Sequence, residues 1–296
     1  MGRKALVLGG GGPVGIAWES GLISGLARAG VDLGKADFIL GTSAGSFVGA
    51  RLAMGAQAAT LVDPILAEPP PAPRAEGAPK PAPPADLSQL MKLMAEAGSG
   101  ARDPQEVRVE IGAFAKAAET PDETTFISSF GRSFAGLPDT TWPERGYGCT
   151  AVDVETGEFV LWTAESGVGV TRAVASSCSV PGVYPPVTLK GRRYMDGGMR
   201  SGTNADMATG YDQVVVVQVR AGATAGAAAE AQARRFEVEI AVLRDGGAEV
   251  MVLSPDAGSL AAMGLNLMDF RKRADAARAG VAQGADAAAG LRALWA

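Results

Sequence analysis

The chain has 296 residues, 47% hydrophobic and 20% charged, which supplies a large core and excludes wholesale disorder. With 27 basic against 32 acidic residues its formal charge is -5, which excludes binding of a nucleic-acid backbone, or of anionic lipid, by charge alone. There is no histidine, which removes a Ser-His-Asp triad and any histidine metal site. The two cysteines, Cys149 and Cys178, make neither a disulfide framework nor a CxxC pair.

In chain order, residues 5–8 read as a short buried strand, followed by four glycines and a helical pattern over 16–29 that stops at Gly30. Met1 to Lys4 is basic, but the apolar run behind it is too short for a signal peptide. Position 6 is Leu rather than the Ser or Thr of a myristoylation signal, and no run reaches transmembrane length, so a cytoplasmic location is expected. Residues 37–40 read as a second strand, after which Gly41-Thr42-Ser43-Ala44-Gly45 turns sharply into a helix through Phe47, Val48, Ala50 and Leu52. Strand, turn and helix in this repeated order predict a parallel sheet.

Proline and alanine dominate residues 68–86, and proline removes backbone donors, so this stretch reads as an extended linker or surface insertion. Leu87, Leu90, Met91 and Met94 then recur at helical spacing, either as a helix packed on the body or as an amphipathic cap over a site. The region at about 64–110 is taken as an insertion within one domain spanning 1–296. Strands resume over 148–154 and 158–162, a hairpin turning at Glu155-Thr156-Gly157, and residues 170–177 form a helix. A second hairpin, 188–189 with 193–195, turns at Gly191 and delivers Asp196 at its end. Residues 213–219 and 249–253 are strands; 230–243 and the alanine-rich tail from 260 are helical.

Gly-x-Ser-x-Gly between a strand and a helix is the setting of a nucleophile elbow, in which flanking glycines allow the tight turn that projects a serine hydroxyl. The alternative is a glycine-bounded turn with an N-capping serine. Gly9 to Gly12 can aim amides at a tetrahedral oxyanion. They can equally cradle a phosphate, since Gly10, Gly12 and Gly15 satisfy G-x-G-x-x-G. A dinucleotide site wants an acidic residue after the second strand, whereas Asp37 precedes it. Asp196-Gly197-Gly198 ends a strand pattern; Asp245-Gly246-Gly247 ends a helical one, where glycines act as a cap. Asp153, beside a turn, reads as a hairpin residue, and Asn204 either braces the loop after Asp196 or turns the chain. Trp18, Tyr184, Met195 and Met199 read as core before acyl pocket, and Arg271 to Arg273 as a solvated helix face.

A glycine-rich loop, G-x-S-x-G and then D-G-G, with the Ala-Ser-Ser-Cys-Ser-Val-Pro-Gly-Val-Tyr-Pro-Pro-Val stretch of 175–187 before the aspartate, resembles the patatin-like phospholipase family. The resemblance implies a three-layer α/β/α fold with a mainly parallel central sheet, and Ser43 and Asp196 at strand ends on one side. It implies a serine esterase of the phospholipase A type, a lipid acyl hydrolase, with Ser43 as nucleophile and Asp196 as base. The oxyanion donors would be Gly10, Gly11 and Gly12, with Ala44 as helper, and Gly9, Gly15, Gly41, Gly45, Gly197 and Gly198 would flank the motifs. No metal or cofactor is implied. The partner would be a lipid or small ester, with any membrane contact local and apolar. Val14 stands where the family often has a basic residue, which loosens the link to an anionic head group. Three alternatives stand beside this: a nucleotide-binding protein, an inactive lipid-binding member of the fold, and a serine-lysine hydrolase using Lys4, Lys35 or Lys190.

Overall fold

Parallel strands need a crossover between each pair, and the first part of the chain supplies them in strand and helix order. A computed structural model describes residues 2–69, 86–134, 136–219 and 227–295. Strand β1 (Lys4–Leu8) leads into helix α1 (Gly12–Arg28), and β2 (Phe38–Gly41) into α2 (Ala44–Ala53) and the one-turn α3 (Asp63–Leu66). Helices α4 (Ser88–Ser99), α5 (Pro104–Ala117), α6 (Glu123–Ser129) and α7 (Gly131–Phe134) precede β3 (Gly146–Asp153) and β4 (Phe159–Trp162). Then come α8 (Val170–Ser177), β5 (Val187–Leu189), β6 (Arg192–Asp196), β7 (Gln213–Val217), α9 (Ala227–Asp245), β8 (Glu249–Leu253), α10 (Ala257–Met263) and α11 (Arg273–Trp295).

The strands form one mixed sheet in the order β5-β6-β3-β2-β1-β7-β8, with β4 also paired on β3. From β3 to β8 every neighbour is parallel; β4, β5 and β6 are joined through antiparallel pairs. Side chains alternate across the central strands. Leu6, Leu8, Ile39, Val215 and Val217 face a core shared with α1, α2 and α11, while Ala5, Val7, Leu40, Val214 and Val216 face Ile240 and Leu243 of α9. Helices thus cover both faces, giving the expected three-layer α/β/α arrangement.

Several boundaries differ from the sequence reading. Helix α1 starts at Gly12 rather than 16, because Pro13 lies in its first turn, where the missing amide hydrogen leaves no helical bond unmade. The helical tail is broken: α10 ends at Gly264, whose φ of 70° leaves helical space, and α11 begins at Arg273. Of the proline-rich stretch, residues 70–85 lie outside the described residues. Helix α4 buries Leu90 and Leu93 against Val107 and Ile111 of α5 and against Val152 and Met195 of the sheet, which is the body-packing arrangement. Asp245-Gly246-Gly247 ends α9 as a cap, with amides of Gly246 and Gly247 bonded to the carbonyls of Val242 and Arg244. Among the described residues no helix is long and apolar enough to cross a membrane.

Helices α1 and α11 approach until their backbones touch. An added Cβ would come within 2.2 Å of the Ala277 carbonyl oxygen at Gly21, and within 2.3 Å of the Leu22 carbonyl oxygen at Gly284. Gly284→Val is therefore expected to lower stability by about 1–3 kcal/mol through overpacking, read as a shift in the urea midpoint. An unchanged midpoint would show that the two helices have slack.

Candidate active site

Between the end of β2 and the start of α2 the chain reverses in two residues, Thr42 and Ser43. Ser43 takes φ 52° and ψ -117°, a conformation that L side chains rarely adopt. The reversal is tight because a Cβ at Gly41 would lie 2.3 Å from Ser46 Cα, and one at Gly45 2.2 Å from the Leu8 carbonyl oxygen. Only glycine fits at either flank. The strained peptide is held on both sides. The Ser43 amide donates to Ser177 Oγ (3.0 Å), and the Ser43 carbonyl accepts from Ser46 Oγ (2.6 Å) and Cys178 Sγ (3.1 Å).

Asp196 arrives by sheet register. Gly41, at the end of β2, pairs with Cys149 of β3, and Asp196, at the end of β6, pairs with Ala151. The two strand ends are therefore offset by two residues along β3, about 7 Å at the usual strand rise. The Asp196 amide donates to the Ser179 carbonyl (3.0 Å), and its Oδ1 accepts the Gly198 amide (2.7 Å). The carboxyl is 2% exposed. Burial pushes it up to about 7, against the opposing pull of hydrogen bonds from the Ser43 side chain and the Gly198 amide. The serine and the acid, remote in sequence, thus meet in a dry place.

The glycine loop lies against the serine: a Cβ on Gly10 would be 3.2 Å from Ser43 Cβ. Its amides are not equivalent. Gly9 donates to the Val217 carbonyl (3.0 Å), Gly10 to the Gly202 carbonyl (2.7 Å) and Gly15 to the Gly11 carbonyl (2.8 Å). The expectation that Gly10 offers an oxyanion donor is corrected, since its only N–H is already engaged. The amides of Gly11, Gly12 and Ala44 have no acceptor among the described residues. Gly12 and Ala44 begin α1 and α2, where first-turn amides have no helical partner.

A buried polar network ties the two motifs together. Asn204, in a left-handed conformation at φ 49°, donates from Nδ2 to the carbonyls of Ser201 (2.8 Å) and Gly197 (3.2 Å) and to Thr42 Oγ1 (3.1 Å). Thr42 Oγ1 in turn lies 2.9 Å from Thr150 Oγ1. Asn204 both turns the chain and braces it. Behind it, Glu239 of α9, itself buried, accepts from Thr203 Oγ1 (2.7 Å) and the Ala205 amide (2.9 Å). Sequence reasoning missed Thr42, Thr150, Ser46, Ser177, Cys178 and Glu239. Ser177 and Cys178 fall in the stretch that carried the family resemblance, but nothing in their spacing shows that they grip Ser43.

Other candidates fall elsewhere. The Lys4 ammonium donates to the Trp295 carbonyl (3.1 Å), Lys35 is exposed ahead of β2, and Lys190 sits in the β5 to β6 turn, at the far end of that hairpin from Asp196. Asp153 takes the amides of Glu155 and Thr156 and pairs with Arg192, a hairpin role. Trp18 and Met195 are core residues, and the half-buried Tyr184 stacks on Phe126.

The model of the patatin-like phospholipase family matches residues 87–209, a span that contains Asp196 and lies beyond Ser43. No curated protein matches the chain. Among solved structures, VipD from Legionella pneumophila aligns with a TM-score of 0.49 at 14% identity, covering 98% of this chain and 67% of that one. The type III effector protein ExoU aligns with a TM-score of 0.40 at 16% identity, covering 97% of this chain and 53% of that one. The family-model match bears out, over residues 87–209, the resemblance to the patatin-like phospholipase family read from the motifs.

Proposed function

We propose that this chain hydrolyses a carboxylic ester bond of a lipid-like substrate through a Ser43–Asp196 dyad, the whole chain acting as one catalytic unit. Two observations carry the reading: the strained turn that presents Ser43, and the buried Asp196 carboxyl, which burial pushes up to about 7 and whose charged form the Ser43 side chain favours. The match to a patatin-like phospholipase model supports a lipid ester as the substrate class.

In this mechanism Asp196 accepts the proton of Ser43 Oγ as the oxygen attacks the ester carbonyl. A base that titrates near neutrality is well matched to that transfer, whereas an ordinary aspartate would be too weak. The amides of Gly11, Gly12 and Ala44 and the positive end of α2 receive the developing oxyanion. Collapse expels the alcohol, which takes the proton from Asp196 and leaves an acyl group on Ser43. Asp196 then takes a proton from water, hydroxide attacks the acyl-enzyme, and the released serine oxygen recovers that proton. Val14, standing where the family often has a basic residue, offers no cation to an anionic head group, so the reading is of the ester bond and not of a particular head group. Nucleotide binding is disfavoured because the Asp37 carboxylate accepts the Lys4 amide (2.7 Å) at the opposite end of the sheet.

Ser43→Ala and Asp196→Asn are each expected to lower turnover of a short-chain chromogenic ester by at least about 10³-fold. A fluorophosphonate probe should label Ser43; labelling at another residue would overturn the assignment. For the wild type, kcat/KM should rise as pH increases through about 7, the value for the Asp196 carboxyl. A profile flat across that range would remove Asp196 from the role of base.

The same shift predicts a stability effect. The folded carboxyl keeps its proton to about 7, against 3.8 for an ordinary aspartate, so the folded state binds the proton more tightly. Stability is fully present below the lower value and is lost as pH rises towards the upper one, by about 1.4 kcal/mol per pH unit. Asp196→Asn cannot lose that proton, so its urea midpoint should exceed that of the wild type above pH ~7 and approach it near pH ~4.

A further inference from the structure

The turn from Gly264 to Lys272, between α10 and α11, has two unlike sides. Its inner side is part of the candidate site. The Leu267 carbonyl accepts the Val14 amide (3.1 Å), and a Cβ on Gly12 would meet Met268 Sδ at 2.9 Å. The turn therefore forms the outer wall of the loop that presents the Gly11 and Gly12 amides. Its outer side carries Leu265 and Phe270, which are 77% and 58% exposed, more than any other large apolar side chains among the described residues. Single exposed apolar residues are ordinary, but these two share one short turn with cations. The Lys272 stem passes Gly264, the residue before Leu265, its Cε 3.8 Å from where a Cβ would stand. Arg271 is paired with Asp269 and Arg273 with Glu68, while Lys272 is exposed and forms no ion pair among the described residues, acting on Asp269 only by its charge.

An acyl chain that leaves an aggregate for water loses about 0.8 kcal/mol per methylene, so a site that works on such esters gains if its rim sits at the aggregate surface. Apolar tips flanked by cations match the layering of a bilayer boundary, with acyl chains below and phosphates above. We propose that this turn is the surface by which the protein docks on a phospholipid bilayer, with Leu265 and Phe270 entering the acyl boundary and Lys272 meeting lipid phosphate. Docking here would bring the oxyanion amides to the lipid. The proposal rests on the lipid-ester reading above.

The test is flotation with mixed phosphatidylcholine–phosphatidylglycerol vesicles, run beside hydrolysis of a soluble short-chain ester. Leu265→Ser and Phe270→Ser are each expected to weaken vesicle partitioning about tenfold, and the pair about 100-fold, because each removes an apolar side chain from the boundary. Soluble-ester turnover should stay within about twofold of wild type, and hydrolysis of vesicle lipid should fall with partitioning. Unchanged flotation of the double variant would overturn the proposal. So would an equal loss of soluble-ester turnover, which would mark the turn as support for the site. A wild type that hydrolyses the soluble ester but does not float defeats docking alone; one that floats through this turn but hydrolyses nothing defeats only the catalytic reading.

Discussion

A serine held at φ 52° and ψ -117° stores about 1–3 kcal/mol of backbone strain, and it persists only where its surroundings leave no easier conformation. Here those surroundings are two glycines that admit no side chain, a serine that holds the Ser43 amide, and Ser46 and Cys178 on its carbonyl. The strain has a geometric yield. It sets the Ser43 side chain where it acts on the Asp196 carboxyl and leaves the Ala44 amide without an acceptor among the described residues. Relaxing the turn would move the hydroxyl and the donor together.

Burial acts on the acid in a related way. Removing water from Asp196 raises its affinity for a proton, while Ser43 and Gly198 restrain the rise by donating to the carboxyl. The outcome lies near neutrality, between an ordinary carboxylate and one too deeply buried to ionise. Asn204 matters because it holds Gly197 and Thr42 at once, so the acid's loop and the serine's turn share one fixed point. This is how a protein without histidine can bring a carboxyl and a hydroxyl to one place with little freedom left between them.

The parts of this arrangement visible in sequence were those written into contiguous residues. Gly41 to Gly45 after a strand, Asp196 to Gly198 after another, and the hairpin around Gly157 each carry their geometry in a few neighbouring positions. What escaped notice was dispersed or ambiguous. Thr42, Thr150 and Glu239 meet the already suspected Asn204 region only after the sheet forms, and no spacing relates them. Gly10 reads like Gly11 and Gly12, and only the arrival of the Gly202 carbonyl separates them. The start of α1 was placed late because glycine and proline argue against a helix interior, yet both are compatible with its first turn. Helices α5 to α7 carry weaker signals: Val107, Val109 and Ile111 alternate as in a strand, and α6 and α7 have only seven and four residues.

The meshing of α1 with α11 has a consequence for the order of events during synthesis. The helix that opens at the glycine loop lies against the last helix of the described chain, whose Trp295 bonds Asp32 through its indole and Lys4 through its carbonyl. Domains gain structure as they emerge from the ribosome, N-terminal segments first. A nascent chain can therefore expose its serine and its acid while α1 still lacks the surface it rests on. The arrangement around Ser43 and Asp196 would thus be completed only after α11 has been made.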